Sequence, residues 1–428
     1  MKKVLLIEAL ANSGAYLVEA ANGLGIEAFV ATHADIYDTY PEALRRGLRG
    51  AVFTDLADSQ RALNDMEAFC RAEGINGVAG CWEFFTPLVA QLAARLGLPG
   101  NVPELAAAGR NKAAMAEAFR AGGVPAPATV TARTCAEAVE RIARAGMGYP
   151  LVVKPAEQGG SWGVSVVGSA AGLAQAVREA QAWPVAEPHQ VKLDQRVVVQ
   201  EYVSGAEYSI DTIASKGRFR HMPVVEKHTT GGSFRAELGH TAPAPLHRDV
   251  LPRVHAVTER ALTALGIRDG VAHTEVKIAS HASDPVVLEV GARLPGDHLV
   301  DVVRHACGVD EARAYLQAVL GERPDTTATR DHACAIRFLT PPRAGIFRGV
   351  RVRGPREEGE EGVERHISVE PGTPVRDARD NSARVGHLLV TAGTPAQANA
   401  AAATALAGTS VEVEVEVEDE PEVEAEVS

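Results

Sequence analysis

The chain opens on an apolar run, Val4 to Ile7, cut off at Glu8. Residues 3 to 8 therefore predict a buried parallel strand. Asn12 or Ser13 is placed to cap the helix that follows, and Gly23 and Gly25 end it. A second strand is predicted over 27–31 and a third over 77–80, which runs into Cys81-Trp82-Glu83. A helix from about Phe84 to Leu96 closes at Gly97. Strand and helix alternate in this way through an open α/β domain over residues 1 to 105.

Further on, an Ala-rich helix starts at Asn111-Lys112 and ends at Gly122-Gly123, and a second covers 136–145. Residues 151–155 read as a strand with Lys154 near its end. A glycine-rich hairpin follows directly, from Ala156 to Val167, polar at its tip and apolar on return. A helix (170–183), a strand (197–201), a hairpin (208–214 and 219–225, around Lys216-Gly217) and a helix (252–265) come next. Residues 272–278 alternate. Ala272, Thr274, Val276 and Ile278 share one face, and His273, Glu275 and Lys277 the other. The return strand, 285–290, lies beyond a Ser283-Asp284 turn, and another helix starts near Leu299.

From about residue 333 the pattern turns β-rich, with strands over 335–339, 346–352, 366–369 and 387–391 and a helix over 395–406. Val and Glu then alternate strictly from 411 to 418, which suits an edge strand with one wet face. Residues 419–428 read as an acidic disordered tail. Val411 to Ser428 holds nine acidic residues and no basic one, so most of the net charge of -12 sits there. The rest is nearly balanced, which gives no electrostatic reason to expect nucleic acid as a partner. The five cysteines are scattered without C-x-x-C spacing, which suits a reducing, cytoplasmic setting. The Val4–Ile7 run is too short for a signal peptide, and no segment is apolar enough to suggest a membrane partner.

Three features carry candidate chemistry. Glu275 and Glu289 fall on successive strands, and two neighbouring carboxylates require positive charge between them. Hard oxygen ligands of this kind suit Mg²⁺ alongside substrate phosphates, although two solvated strand residues would read the same way. Glu83 lies just past a strand's carboxyl end, where open α/β sheets bind ligands; a carboxylate stabilised by a helix N-terminus is the alternative. A dinucleotide fingerprint, G-x-G-x-x-G, is missing.

The order of these pieces is more specific than any one of them. Lys112 comes first, then strand-borne Lys154, the glycine hairpin, the segment Gln200 to Glu207, the paired glutamates and Arg293. In that order the chain resembles the ATP-grasp superfamily over roughly residues 1 to 320. The resemblance implies an α/β (α+β) ATP-grasp fold with an N-terminal pre-ATP domain (1–105). An ATP-grasp domain (106–325) would follow, its small lobe at about 125–200 and its large lobe at about 201–325. A β-rich C-terminal extension (326–418) would close the fold. Lys112 and Lys154 are implied to hold the α- and β-phosphates of ATP, and Gly159, Gly160, Ser161 and Gly163 to fold over the γ-phosphate. Gln200, Glu201 and Val203 resemble the adenine hinge, with Gln200 or Glu201 open for the amino-group contact. Glu207 resembles the ribose carboxylate, and Lys227 falls among the nucleotide-binding positions. Glu275 and Glu289 become ligands of Mg²⁺, two ions in all, with Mn²⁺ as a substitute. Gly291 stands where the family's motif has asparagine, leaving water or Asp297 to supply that contact. Arg293 is implied to stabilise an oxyanion, against a structural pairing with Asp297 or Asp301.

The spacing Glu237-x-x-His240, with Pro243 and Arg293 in register, resembles the L-amino-acid ligases within that superfamily. It implies that Glu237, His240, Arg293 and Glu83 contact amino-acid substrates, and that Arg293, Glu237 and His240 act in catalysis. The activity so implied is an ATP-dependent carboxylate–amine ligase working through an acyl phosphate, with ADP and phosphate released. A homodimer stays open. The alternatives are a carboxylase-like enzyme that activates bicarbonate and a non-catalytic ATP-binding regulator.

Overall fold

The structure, a computed structural model, describes residues 1–10, 12–280, 282–352 and 362–414. The expected tail and the end of the last strand, 415–428, lie outside them. Four parallel strands, β1 (Lys3–Ile7), β2 (Glu27–Thr32), β3 (Gly50–Phe53) and β4 (Gly77–Gly80), form the first sheet in the order β3-β2-β1-β4. Val4 to Ile7 are wholly buried, as the unbroken apolar run requires of a strand covered on both faces. Asn12 and Ser13 both fall within the first turn of the helix Asn12–Gly23. Gly97 closes the helix Thr86–Leu96 in the left-handed conformation (φ 66°). β3 and the helix Ser59–Glu73 add to the elements expected from the pattern. β3 is short and half-covered. The helix buries Ala62, Leu63, Met66 and Cys70 along one face.

β5 (Thr129–Ala132), β6 (Leu151–Pro155), β7 (Ser165–Val167), the hairpin β8 (Val185–Ala186) and β9 (Val191–Lys192), and β10 (Val197–Glu201) make up the next region. Its antiparallel sheet runs β5-β10-β6-β7 over a core of Leu151, Val153, Val197 and Val199. The helix expected over 170–183 is shorter, a 3₁₀ turn followed by Leu173–Ala180, and it frees Trp183.

β11 (Ala206–Ser215), β12 (Arg218–His221), β13 (Val225–Thr229), β14 (Glu237–Ala242), β15 (Gly270–Ile278) and β16 (Val286–Gly291) follow. The run 219–225 is two strands rather than one: Pro223 lacks a donor and interrupts the ladder, and β12 and β13 pair separately with β11. β17 (Ala333–Leu339), β18 (Gly345–Val352), β19 (Val363–Ile367), β20 (Pro374–Val375), β21 (Gly386–Ala392) and β22 (Thr409–Glu414) complete the chain. β17 pairs with β14, so the large sheet runs β16-β15-β11-β13-β14-β17-β21-β19 without interruption across residue 325. β22 is an edge strand on β18, in the small sheet β20-β18-β22.

One core joins the N-terminal sheet to the large one. Val4, Leu6 and Val30 pack with Leu299, Val302, Leu316, Ile336 and Phe338, and the Tyr315 hydroxyl accepts a hydrogen bond from Gly80 N (3.0 Å). This packing fixes the end of β4, and with it Glu83, over the large sheet.

Glu311, in the first turn of the helix Glu311–Val319, is fully buried, and neither carboxyl oxygen has a hydrogen-bond partner. Burial, reinforced by the Asp211 carboxylate, raises its pKa well above the usual value. The unfolded chain ionises this group above about pH 4.3 while the folded chain keeps it neutral, so stability falls as pH rises through that window. Glu311→Gln is therefore expected to stabilise by about 1–2 kcal/mol at pH 8 and to be nearly neutral at pH 4. Thermal melting of both proteins across pH checks this; a difference that does not grow with pH refutes it.

Candidate active site

The site forms where the two main sheets meet under the N-terminal domain. β15 and β16 pair antiparallel with Glu275 directly opposite Glu289. Thr274, Val276 and Ile278 of β15 are buried beneath, while His273 and Glu275 keep partial access on the cleft side. The positive charge that two facing carboxylates require comes from three lysines on separate elements. Lys227 on β13 donates to Glu275 Oε1 (2.6 Å). Lys112 lies 2.8 Å from Glu289 Oε1, and Lys154 on β6 lies 3.8 Å from Glu289 Oε2. Lys112 opens the helix Lys112–Ala121, which Asn111 caps by accepting from Ala113 N and Ala114 N.

The two lysines of the Glu289 pair differ in electrostatics. Burial favours the neutral form of Lys112, but the carboxylates of Glu289 and Glu83 outweigh it and raise its pKa. Burial dominates at Lys154, whose more distant contact with Glu289 does not compensate, so its pKa is lowered. Lys227 meets three carboxylates at once: Glu207 (3.1 Å), Glu237 (2.8 Å) and Glu275 (2.6 Å). They overcome its burial and hold its pKa far above the usual value. Glu207, expected at the ribose, is thus a partner of Lys227.

The glycine hairpin lies across the cleft. A Cβ at Gly159 would stand 2.9 Å from Glu83 Oε1, so any side chain there would push the Glu83 carboxylate aside. Gly160, Ser161 and Gly163 all have positive φ, and Ser161 Oγ donates to the Arg235 carbonyl (2.8 Å). The return strand β7 is tied to the loop between β13 and β14 by Val166 N to Ser233 O (3.0 Å), and the tip to the C-terminal region by Asn381 N to Gly160 O (3.2 Å). On the hinge, Gln200 is buried and donates to Thr129 Oγ1 (3.0 Å), whereas Glu201 is exposed. The Val203 carbonyl accepts from Lys277 Nζ (3.1 Å), whose ammonium lies 4.9 Å from the centre of the Tyr202 ring.

Arg293 pairs with neither Asp297 nor Asp301. Its Nε (3.2 Å) and Nη2 (2.9 Å) both donate to Glu83 Oε2, from the N-terminal domain. Burial pushes the Glu83 carboxyl upward, but Arg293 and Lys112 more than reverse this and keep it ionised. Asp297 is engaged by Arg384 (2.6 and 3.1 Å) and His240 (3.2 Å), so it is not positioned beside Glu289 to replace an asparagine. His240 is wholly buried behind Glu237 and Asp297 and does not reach the cleft surface. Burial opposes its charge, yet Asp297 and Glu237 raise its pKa overall. His240 therefore supports Glu237 from beneath.

Two cavities meet here. One, of about 160 Å³, is the cleft between Lys112, Lys154, Glu275 and Glu289. The other, of about 620 Å³, lies beside it under the N-terminal domain. Glu83, Gln158, Gly159, Gly160 and Arg293 line both.

Residues 147–301 match the ATP-grasp domain, and residues 18–100 match the ATP-grasp N-terminal domain. The chain belongs to the ATP-grasp superfamily. Residues 337–414 match the L-amino acid ligase C-terminal domain 2, which places this ATP-grasp protein with the carboxylate–amine ligases. The crystal structure of the L-amino acid ligase from Bacillus licheniformis shares the fold, with a TM-score of 0.79 at 21% identity over 97% of this chain and 99% of that one. An uncharacterized protein of Sinorhizobium fredii is 28% identical over 93% of this chain and 80% of its own length. The alanine–anticapsin ligase of Bacillus subtilis is 23% identical over 55% of this chain and 52% of its own. The chain spans about half the length of several such curated ligases. Among the described residues no helix is long and apolar enough to cross a membrane, and all five cysteines are free thiols.

Several residues of this ATP-grasp site carry no sequence signal. Arg384 grips Asp297 and Glu237 from the C-terminal region and lies 3.7 Å over the Phe338 ring. Asn381 accepts from Glu237 N (3.0 Å). No motif marks either residue. His273, bonded to Asp211 (2.6 Å) and 3.7 Å from Glu275, was legible only as a residue on the same face as Glu275.

Proposed function

We propose that this ATP-grasp protein activates the carboxylate of one amino acid and transfers the acyl group to the amine of a second. A carboxylate oxygen attacks the γ-phosphorus of ATP and ADP departs, leaving an acyl phosphate. The amine nitrogen then attacks the acyl carbon, the carbon–oxygen bond breaks and phosphate leaves. The observation that carries this reading is the shared wall of Glu83, Gly159 and Arg293 between the lysine–glutamate cleft and the larger cavity. A second substrate in the larger cavity would lie next to the end of the cleft covered by the glycine hairpin.

Lys112 and Lys154 are the ammonium groups for the phosphates, and the backbone N–H groups of Gly159 to Gly163 approach the γ-phosphate. Glu275 and Glu289 fit Mg²⁺: they are hard donors in direct register, and their present partners are cationic side chains, Lys112 and Lys154 at Glu289 and Lys227 and His273 at Glu275. Gly291 adds no side-chain ligand, which suits an ion completed by phosphate oxygens and water. Bound there, the ion supplies charge neutralisation between the phosphates. Arg293 aims its guanidinium at the junction, where it stabilises the oxyanion that develops on the acyl carbon's oxygen. Glu237 is held ionised by Lys227, despite burial that opposes its charge, and orients the substrate amino group, with His240 as its positioning residue.

A bicarbonate-activating enzyme would also need a site for its carboxyl acceptor, so a requirement for bicarbonate, rather than the 620 Å³ of the neighbouring cavity, separates the two readings. A pure nucleotide sensor has no need of an arginine placed between two cavities. Phosphate release from MgATP with pooled amino acids tests the reading. ADP and phosphate should form only when both a donor and an acceptor are present. Formation of AMP and pyrophosphate, or turnover that needs bicarbonate alone, overturns it.

A further inference from the structure

The larger cavity holds all three tryptophans of the chain, Trp82, Trp162 and Trp183. They arrive from three separate elements. Trp82 follows β4, with its indole N–H donating to the Leu10 carbonyl (2.7 Å). Trp162 belongs to the glycine hairpin. Trp183 follows the helix Leu173–Ala180, and its ring centre lies 4.7 Å from that of Trp162 at 35°. Trp183 remains 36% exposed, a large apolar surface left at the cavity mouth.

This wall is fixed in place. Trp183 leads into the β8–β9 hairpin, and His189 at its turn is 1% exposed in a socket of the N-terminal domain. Its Nε2 lies 2.5 Å from Glu8 Oε2, and its ring meets those of His33, Trp82 and Phe85 edge-on at 4.9–5.6 Å. Glu8 adopts φ 62° and accepts from Ala9 N, Leu10 N and Thr32 Oγ1. The hairpin is therefore anchored across domains, and Trp183, Val185 and Ala186 form a built surface.

The charged groups inside the cavity are paired with one another, apart from Glu187 at its rim. Glu83 pairs with Arg293, and Asp297 with Arg384. Glu187 lies exposed at the rim and accepts from Gln190. An anionic substrate side chain would find no unpaired cation there, the one carboxylate without a cationic partner, Glu187, stands in solvent at the rim, and a side chain as small as a methyl would leave the tryptophan faces in water.

We propose that this cavity selects an amino acid with a large aromatic or branched apolar side chain, held between the Trp162–Trp183 pair and Trp82. The inference rests on the ligase reading and adds the substrate class to it. The test varies one amino acid (glycine, alanine, leucine, phenylalanine, lysine or glutamate) against a fixed pool of partners and follows phosphate release from MgATP. Tryptophan fluorescence is titrated in parallel with the same amino acids. Leucine or phenylalanine should exceed glycine, alanine, lysine and glutamate at least ten-fold in kcat/KM, and should change the fluorescence saturably. Trp183→Ala should raise KM for phenylalanine about ten-fold and leave KM for ATP unchanged. Turnover that favours small or charged amino acids overturns the selectivity while the ligase reading stands. Absence of phosphate release with every pair overturns the ligase reading. In that case the fluorescence decides: a saturable response to phenylalanine that Trp183→Ala removes supports the cavity assignment, and no response overturns it.

Discussion

Glu289→Gln should lower kcat/KM about 10²–10³-fold with at most a modest loss of stability. Glu289 is the member of the carboxylate pair that both Lys112 and Lys154, the lysines proposed for the phosphates, approach. In the structure Lys112 and Lys154 neutralise it. On binding MgATP we expect an exchange of partners, with the lysines moving to phosphate and the carboxylate to the ion. Gln keeps the shape and relieves the repulsion across the Glu275–Glu289 register, but it cannot hold a divalent cation as a charge. Lys112 loses its nearest carboxylate yet keeps its bond to the Gln158 carbonyl and the field of Glu83, so the fold survives. Melting with and without MgATP, beside steady-state phosphate release, separates the two effects. A variant that melts lower but turns over normally per folded molecule would remove the metal assignment.

The second large effect concerns Arg293. Arg293→Met should abolish measurable ligation and also destabilise by about 2–3 kcal/mol, since Glu83 is left largely buried without its partner. The loss stays below that of a fully buried pair because both side chains keep some solvent contact. The double variant Glu83→Gln with Arg293→Met should recover most of the stability and none of the activity. Recovery of both would make the arginine purely structural. Recovery of neither would mean that it holds the N-terminal domain through contacts other than Glu83.

The β15–β16 hairpin was legible because its pattern is local. A period of two over 272–278, a turn and an apolar return place Glu275 and Glu289 on adjacent strands with no knowledge of the rest. The order Lys112, Lys154, glycine hairpin, paired glutamates, Arg293 was legible for a related reason. Each member sits at an element end that its neighbours define: a capped helix start, a strand end, a tight turn. The helix Ser59–Glu73 was equally open to reading, since Asp58 caps it and its apolar positions recur at helical spacing.

Pairings between distant segments were not legible. The sequence by itself determined which residues could carry charge to a cleft and on which elements they lie. Only the tertiary structure decided their partners: Lys227 with Glu207, Glu237 and Glu275, Arg293 with Glu83, Arg384 with Asp297, and His189 with Glu8. Strand order set these contacts. β14 pairs with β17, for example, across about ninety residues and so brings the C-terminal region onto the large sheet. Local propensity reaches only a few residues along the chain. Which strands neighbour one another, and which buried charges meet, follows from the closing of long loops and the packing of a common core.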